Sequence, residues 1–181
     1  MPTAQIQPAN GAATMEIAPY IFMQLPALLT VDDEPGPGLQ TLIEFTFNSN
    51  RGRVQATTVA VRSSPAGDPV TGTDLRAVRV ADLTAEHLPK LARKLDGSPV
   101  TPSREKIAGL VARGPSDGEV LLLVADLYSY ADAVGLRPAK HVQETLGLPS
   151  ATASRWIRRA REAGLFDRGT FTIEDVDDGD D

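Results

Sequence analysis

Within residues 39–47, apolar and polar positions alternate from Ile43 to Phe47. Ile43, Phe45 and Phe47 fall on one side and Glu44 and Thr46 on the other, a period of two that predicts a half-buried strand. Asn48, Ser49, Asn50, Arg51 and Gly52 follow, a run that tolerates the positive φ of a hairpin loop. Residues 53–62, rich in Val and Thr, read as the return strand. Residues 74–80, with Leu75, Val78 and Val80, read as a third. Upstream, residues 16–31 hold one or two short strands interrupted by Pro19 and Pro26, and residues 32–38 are a turn-rich break. Residues 1–14 are small and polar with no period, the pattern of a disordered leader. Together these segments predict a small antiparallel sheet with one face to cover.

Further on the period becomes helical. Thr84 is placed as an N-cap before Leu88, Leu91 and Leu95, with Pro89 keeping that helix short or kinked. Ile107, Leu110 and Val111 share a face over residues 103–113, and Gly114 with Pro115 marks the domain boundary. Ser116 and Glu119 have the spacing of a capping box. They open a strongly apolar helix through Val120, Leu123, Val124, Leu127, Tyr128, Ala131 and Val134, which Gly135 stops. Pro138 suits the first turn of the next helix, where its missing N–H costs nothing. No internal repeat is visible.

Residues 138–166 then carry the most specific pattern. A helix ends at Gly147, and a second one follows that is apolar on one side and arginine-rich on the other. Ala153, Trp156, Ile157 and Ala160 recur at three and four and form its buried stripe. With Trp156 inward, Ser150, Ala151, Ser154, Arg155 and Arg158 face outward, with Thr152 beside them. Val142 and Leu146 bracket the glycine on one side and Leu148 on the other. This constellation resembles the helix-turn-helix family of bacterial DNA-binding proteins, including sigma-factor and resolvase-like variants, from about residue 120 to residue 166. Two positions depart from the family pattern. Gln143 stands where Ala or Gly is usual, and Ala153 where a larger Val or Ile is usual.

The resemblance implies a second helix lying in the major groove of double-stranded DNA. Ser150 is expected to cap that helix, with backbone N–H groups near a phosphate. Ser150, Ala151, Ser154, Arg155 and Arg158 are the expected base-reading residues, Arg155 being the best placed to pair with both guanine acceptors. Arg137, Lys140, Thr152, Arg159 and Arg161 are expected on phosphates, which position the protein without reading sequence. An arginine-rich amphipathic helix alone is just as often a solvated surface. The glycine turn, its apolar brackets and the supporting helix before it are what favour DNA.

Charge sharpens this picture. The 181-residue chain has a net charge of −6, which by itself argues against a nucleic-acid partner. The distribution reverses that argument. Residues 137–168 carry seven bases against three acids, and residues 174–181 carry six acids and no base. Local sign governs phosphate attraction. The acidic end is a solubilising tail or, on a sharper reading, a competitor of DNA for the basic helix. Phe171 and Ile173 are placed as a short strand or wing before it. Arg outnumbers Lys fourteen to four, the bias of GC-rich coding, so the arginine cluster weighs somewhat less.

Composition also narrows the chemistry. Cysteine is absent, which excludes disulfides and cysteine-ligated metal and suits a reducing cytoplasm. The apolar stretch at 17–31 is broken by prolines and lacks a basic flank, unlike a signal peptide or membrane span. His87 and His141, the two histidines, are far apart without a carboxylate at ligand spacing. Gly36, Pro37 and Gly38 form a turn without the Gly-Lys-Ser/Thr of a phosphate-binding loop, and Asp32 and Asp33 sit in a loop without pattern.

The expectation is therefore an α+β protein, not an enzyme, with no cofactor. It comprises a leader (1–14), a small N-terminal antiparallel β-sheet with one or two helices (15–114), a C-terminal three-helix helix-turn-helix domain (115–168) and an acidic tail (169–181). The N-terminal part would serve oligomerisation, partner contact or sensing. The expected function is sequence-specific binding of double-stranded DNA as a cytoplasmic, nucleoid-associated transcriptional regulator. A homodimer is expected, because one recognition helix covers few base pairs. Two alternatives stand beside it: a phage or plasmid accessory factor for DNA maintenance, recombination or packaging, and a protein-interaction module that uses the same fold.

Overall fold

The computed structural model describes residues 3–64 and 67–166. It is an α+β molecule in which, among the described residues, an antiparallel sheet is followed by six α-helices. Strands β1 (Ala4–Ala18), β2 (Ile21–Asp32), β3 (Leu39–Asn48) and β4 (Arg53–Ser63) lie in the order β1-β2-β3-β4. A two-residue strand, β5 (Arg93–Lys94), pairs with the start of β2.

The β3–β4 hairpin forms where the alternation predicts it. Asn48 pairs with Arg53 across a loop in which Gly52 takes φ 60° and Arg51 N–H donates to the Asn48 backbone carbonyl. Thr41, Ile43 and Phe45 are buried on one face of β3. On β2 the alternation runs the whole length of the strand, with Ile21, Met23, Leu25, Ala27, Leu29 and Val31 all inward.

Pro26, expected to interrupt a strand, does not interrupt β2, and residues 21–32 form one continuous strand. Proline gives no N–H to a ladder. Here it lies between the pairing of β2 with β5 at Ile21–Phe22 and its pairing with β3 from Ala27 onward. On the other side it lies opposite a register shift in β1 between Pro8 and Ala13. No ladder bond is lost at that place.

Residues 4–14, expected in a leader outside the fold, make up most of β1. Ala4 and Ile6 pack against the sheet core, paired with Val31 and Leu29. The register shift between Pro8 and Ala13 breaks the alternation, so this strand has no readable period.

The expected third strand at 74–80 is also corrected. Residues Gly72–Ala77 form a short helix, α1, capped by Thr71. The Thr71 hydroxyl accepts from Asp74 N–H, and the Asp74 carboxylate accepts in return from Thr71 N–H (2.7 Å). Two orphan donors are satisfied at once, and the capping box overrides the weak strand pattern. Thr84 is not a cap either. It lies inside α2 (Val80–His87) with its hydroxyl donating back to the Val80 carbonyl at 2.7 Å. The helix ends in a 3₁₀ turn at Leu88–Lys90, where Pro89 blocks its continuation, and Leu95 is exposed.

Helix α3 (Arg104–Arg113) is capped by Ser103, and α4 (Gly118–Ala133) by Asp117 rather than Ser116. Asp117 Oδ1 accepts from Glu119 N–H at 2.8 Å. Arg113 binds both Asp117 and Glu119, fastening the end of α3 to the start of α4.

Two apolar cores share α4. Its C-terminal residues Tyr130 and Ala133 pack with Leu83, Leu88, Ala92 and Val100 on the sheet. Its earlier residues Val120, Leu123, Val124 and Leu127 pack with the last two helices and with Ile107 and Leu110 of α3. Buried Asp126, midway along α4, is paired with Lys94 of β5. The helical core thus includes α3, on the far side of Gly114.

Candidate nucleic-acid interface

Helix α4 stops as the glycine predicts. Gly135 takes φ 72°, and Leu136 N–H donates to the Ala131 carbonyl at 2.8 Å, satisfying a terminal carbonyl of the helix. Arg137 and Pro138 then open α5 (Pro138–Leu146).

Helix α5 ends at Gly147, which is left-handed at φ 63° and ψ 30°. Leu148 N–H returns to the Gln143 carbonyl (3.0 Å) and Gly147 N–H to that of Glu144 (3.3 Å). Three residues, 147–149, turn the chain into α6 (Ser150–Glu162). The N-cap of α6 is Pro149, not Ser150. Proline carries no side-chain acceptor, and no side chain caps the helix. The Pro149 carbonyl accepts from Thr152 and Ala153 N–H, so the backbone alone starts the helix. Ser150 is its first residue, and its side chain is exposed.

The buried stripe of α6 is Ala153, Trp156, Ile157 and Ala160, as the period requires. These residues meet Val142 and Leu146 of α5 and Val120, Leu123 and Leu127 of α4 in one core. Small Ala153 and large Trp156 lie in that core together, each at least 95 % buried.

With that side fixed, at about 100° per residue, Ala151, Arg155 and Arg158 fall opposite it and Ser154 close by. Ser150, Ala151, Ser154, Arg155, Arg158, Arg159 and Arg161 are all exposed, and Thr152 is half-buried. Arg137 and Lys140, at the start of α5, are exposed as well.

The cations are not equivalent. Arg158 leans on Glu162 (Nε–Oε1 3.6 Å) and Lys140 on Glu144 (Nζ–Oε1 3.6 Å), both pairs one helical turn apart and exposed. Solvated pairs of this kind are worth little and give way readily to a phosphate. The Arg161 guanidinium lies 5.4 Å from the Phe166 ring centre and 6.0 Å from that of Tyr128. Those two rings meet edge to face at 5.1 Å. Arg161 is thus directed toward α4, away from the row opposite Trp156. Arg155 and Arg159 have no carboxylate within ion-pair distance among the described residues.

The aromatic seat of Arg161 was not legible in the sequence, since Tyr128 and Phe166 are far apart in the chain. The carboxylates were, because Glu144 and Glu162 each follow a cation by four residues. Phe171 and Ile173, placed as a strand or wing, and the acids at 174–181 lie outside the described residues.

The histidines are separate from this surface row and from each other. His87 is buried beside Lys90 (Nδ1–Nζ 2.8 Å), and burial, then the neighbouring ammonium, holds its imidazole below the usual range. His141 packs on Tyr130 with ring centres 5.7 Å apart. Its Nε2 is shielded and has no hydrogen-bond partner among the described residues, and burial lowers its pKa. No three His, Asp or Glu side chains converge as a metal site requires among the described residues. Nor is any helix among them long and apolar enough to cross a membrane.

Comparison of the chain with protein-family models, with curated proteins and with solved structures finds no match.

Proposed function

We propose that the protein binds double-stranded DNA by laying α6 in the major groove, and that it acts in the cytoplasm as a transcriptional regulator. The observation that carries this reading is the two-sidedness of α6. Trp156 and Ile157 anchor it from behind, while the opposite row combines small Ala151 and Ser154 with exposed Arg155 and Arg158. Small residues in the first two turns let a helix approach base edges closely, and an unpaired guanidinium just beyond them is suited to the acceptors of guanine. The three-residue turn at Gly147 sets α5 against α6, with Arg137 and Lys140 at the start of α5 available to phosphates.

A single α6 covers few base pairs, so a regulator of this kind works as a dimer on paired half-sites. The test is selection of duplexes from a random pool by the intact protein, followed by titration of the selected site against single-base variants. Enrichment of one motif, with a marked loss of preference in Arg155→Ala, supports the reading. Failure to bind any duplex at low salt, where phosphate contacts are strongest, would overturn it. Enrichment confined to a replication origin or packaging sequence would move the protein to DNA maintenance.

A further inference from the structure

We propose that residues 167–173 of this chain seat in the cleft between the end of β1 and α4, with Phe171 on its apolar floor and Arg168 on Glu16. The cleft has a volume of about 400 Å³, room for an aromatic side chain. Its apolar walls are Ile17 and Pro19 at the β1–β2 turn, Phe47 at the end of β3, Tyr128 and Ala133 of α4, and Phe166.

Three observations select this occupant. The first is continuity. Phe166 is itself a wall of the cleft, so the chain that follows starts at its mouth. Five residues reach at most about 17 Å, which places Phe171 within range of the floor. Phe171 and Ile173 are the only large apolar residues between 167 and 175.

The second is charge. Glu16 and Asp132 line the cleft. Asp132 is taken by Arg53 at 2.7 Å. Glu16 uses Oε1 to accept from Tyr20 N–H at 2.8 Å, and its Oε2 is shielded from solvent with no partner among the described residues. A carboxylate oxygen in that state is stabilised by any donor that reaches it. Arg168 is the one base in the chain after Phe166.

The third is order along the chain. The segment carries its cation first and its apolar residues afterwards, and the six acids of 174–181 come last. An acidic cleft mouth favours the cation and repels the acids, so the segment enters in one direction only. Seated this way, it launches the acids beside Phe166, whose ring centre is 5.4 Å from the Arg161 guanidinium. The seat does not depend on what α6 binds.

The 181-residue chain has no cysteine, so two introduced ones report without interference. Spin labels at Asn50→Cys, in the loop beside Gly52 at the cleft, and at Thr172→Cys give a distance by pulsed resonance. The expected result is one short, narrow distribution that broadens with Phe171→Ser and, separately, with Arg168→Glu. It is unchanged on dilution with excess unlabelled protein. A broad distribution in the parent, or a narrow one indifferent to both variants, would overturn the proposal. So would a short distance that disappears on dilution, which would assign the cleft to the tail of a second copy.

Discussion

Trp156 sets the rotational phase of α6, and every statement about which arginine does what depends on it. It is 95 % buried among Leu123, Val142 and Ile157 in the helical core. Removing so large a ring leaves a cavity, so Trp156→Ala is expected to destabilise the protein by about 3–5 kcal/mol. Chemical denaturation with matched helical signal measures it. A variant as stable as the parent that no longer binds DNA would put Trp156 on the binding face.

With the phase fixed, Arg155 and Arg161 part company. Arg155→Ala is expected to cost about 1–3 kcal/mol on the preferred site and to flatten discrimination at one base pair. Arg161 rests on two aromatic rings, so Arg161→Ala should weaken all duplexes alike. Competition titrations against single-base variants separate the two effects.

His141 adds a dependence on pH. Its imidazole, buried against Tyr130, is held below its ordinary 6.5, while Glu144 on the same helix acts in the opposite, weaker sense. Arg137 and Lys140 of α5 and Asp82 of α2 line a surface cleft together with His141, separate from the one between β1 and α4. An unfolded chain takes up this proton near pH 6.5 and the folded one does so only lower. Stability therefore falls as pH drops through 6.5 and stops falling below the folded value. Melting temperatures at pH 7.5 and 5.5 should differ less in His141→Gln than in the parent. An equal fall in both would assign the effect to His87, which shifts the same way, or to carboxylates.

At the scale of elements, the α5–α6 turn depends on one backbone conformation. Gly147 sits at φ 63°, and a Cβ there would meet nothing within 4 Å, so substitution costs only backbone strain. Gly147→Ala should cost about 1 kcal/mol and Gly147→Asn less, because asparagine tolerates the left-handed region. Equal melting of all three would show that the turn adapts. That turn, α5, α6 and the β3–β4 hairpin were legible because their signals are local: a glycine, a 3.6 period, an alternation from Ile43 to Phe47. The arginine row was legible for the same reason, since a tryptophan fixes the phase of one amphipathic helix.

What was not legible is non-local or has no amphipathic face. Strand β1 is a strand because β2 lies beside it, and its own pattern is broken between Pro8 and Ala13. Helix α1 buries none of its residues, and Leu75 on it is half exposed, so no period marks it, and residues 74–80 read as a strand instead. Pro149 supplanted Ser150 at the cap of α6 because a carbonyl in extended geometry starts the helix without a side chain. The seat of Arg161 depended on a tertiary contact between Tyr128 and Phe166.

At the scale of the whole molecule, a net charge of −6 coexists with a basic helical end, because six acids are gathered in residues 174–181. Those acids are attached within eight to fifteen residues of Phe166, which touches the Arg161 end of α6. A polyanion tethered that close has a high effective concentration and competes with phosphates for the same cations. The competition is electrostatic, so it weakens as the Debye length shrinks from about 30 Å at 0.01 M salt to about 8 Å at 0.15 M. Ending the chain after Ile173 keeps Arg168 and Phe171 and removes only the acidic stretch. That truncation should tighten binding to a nonspecific duplex most at low salt. It should also steepen the fall of affinity with salt, because more counterions are then displaced from DNA by cations no longer held in cis. Affinities of the 181-residue and truncated chains across a salt series decide it, and superimposable curves would leave the acids with no part in binding.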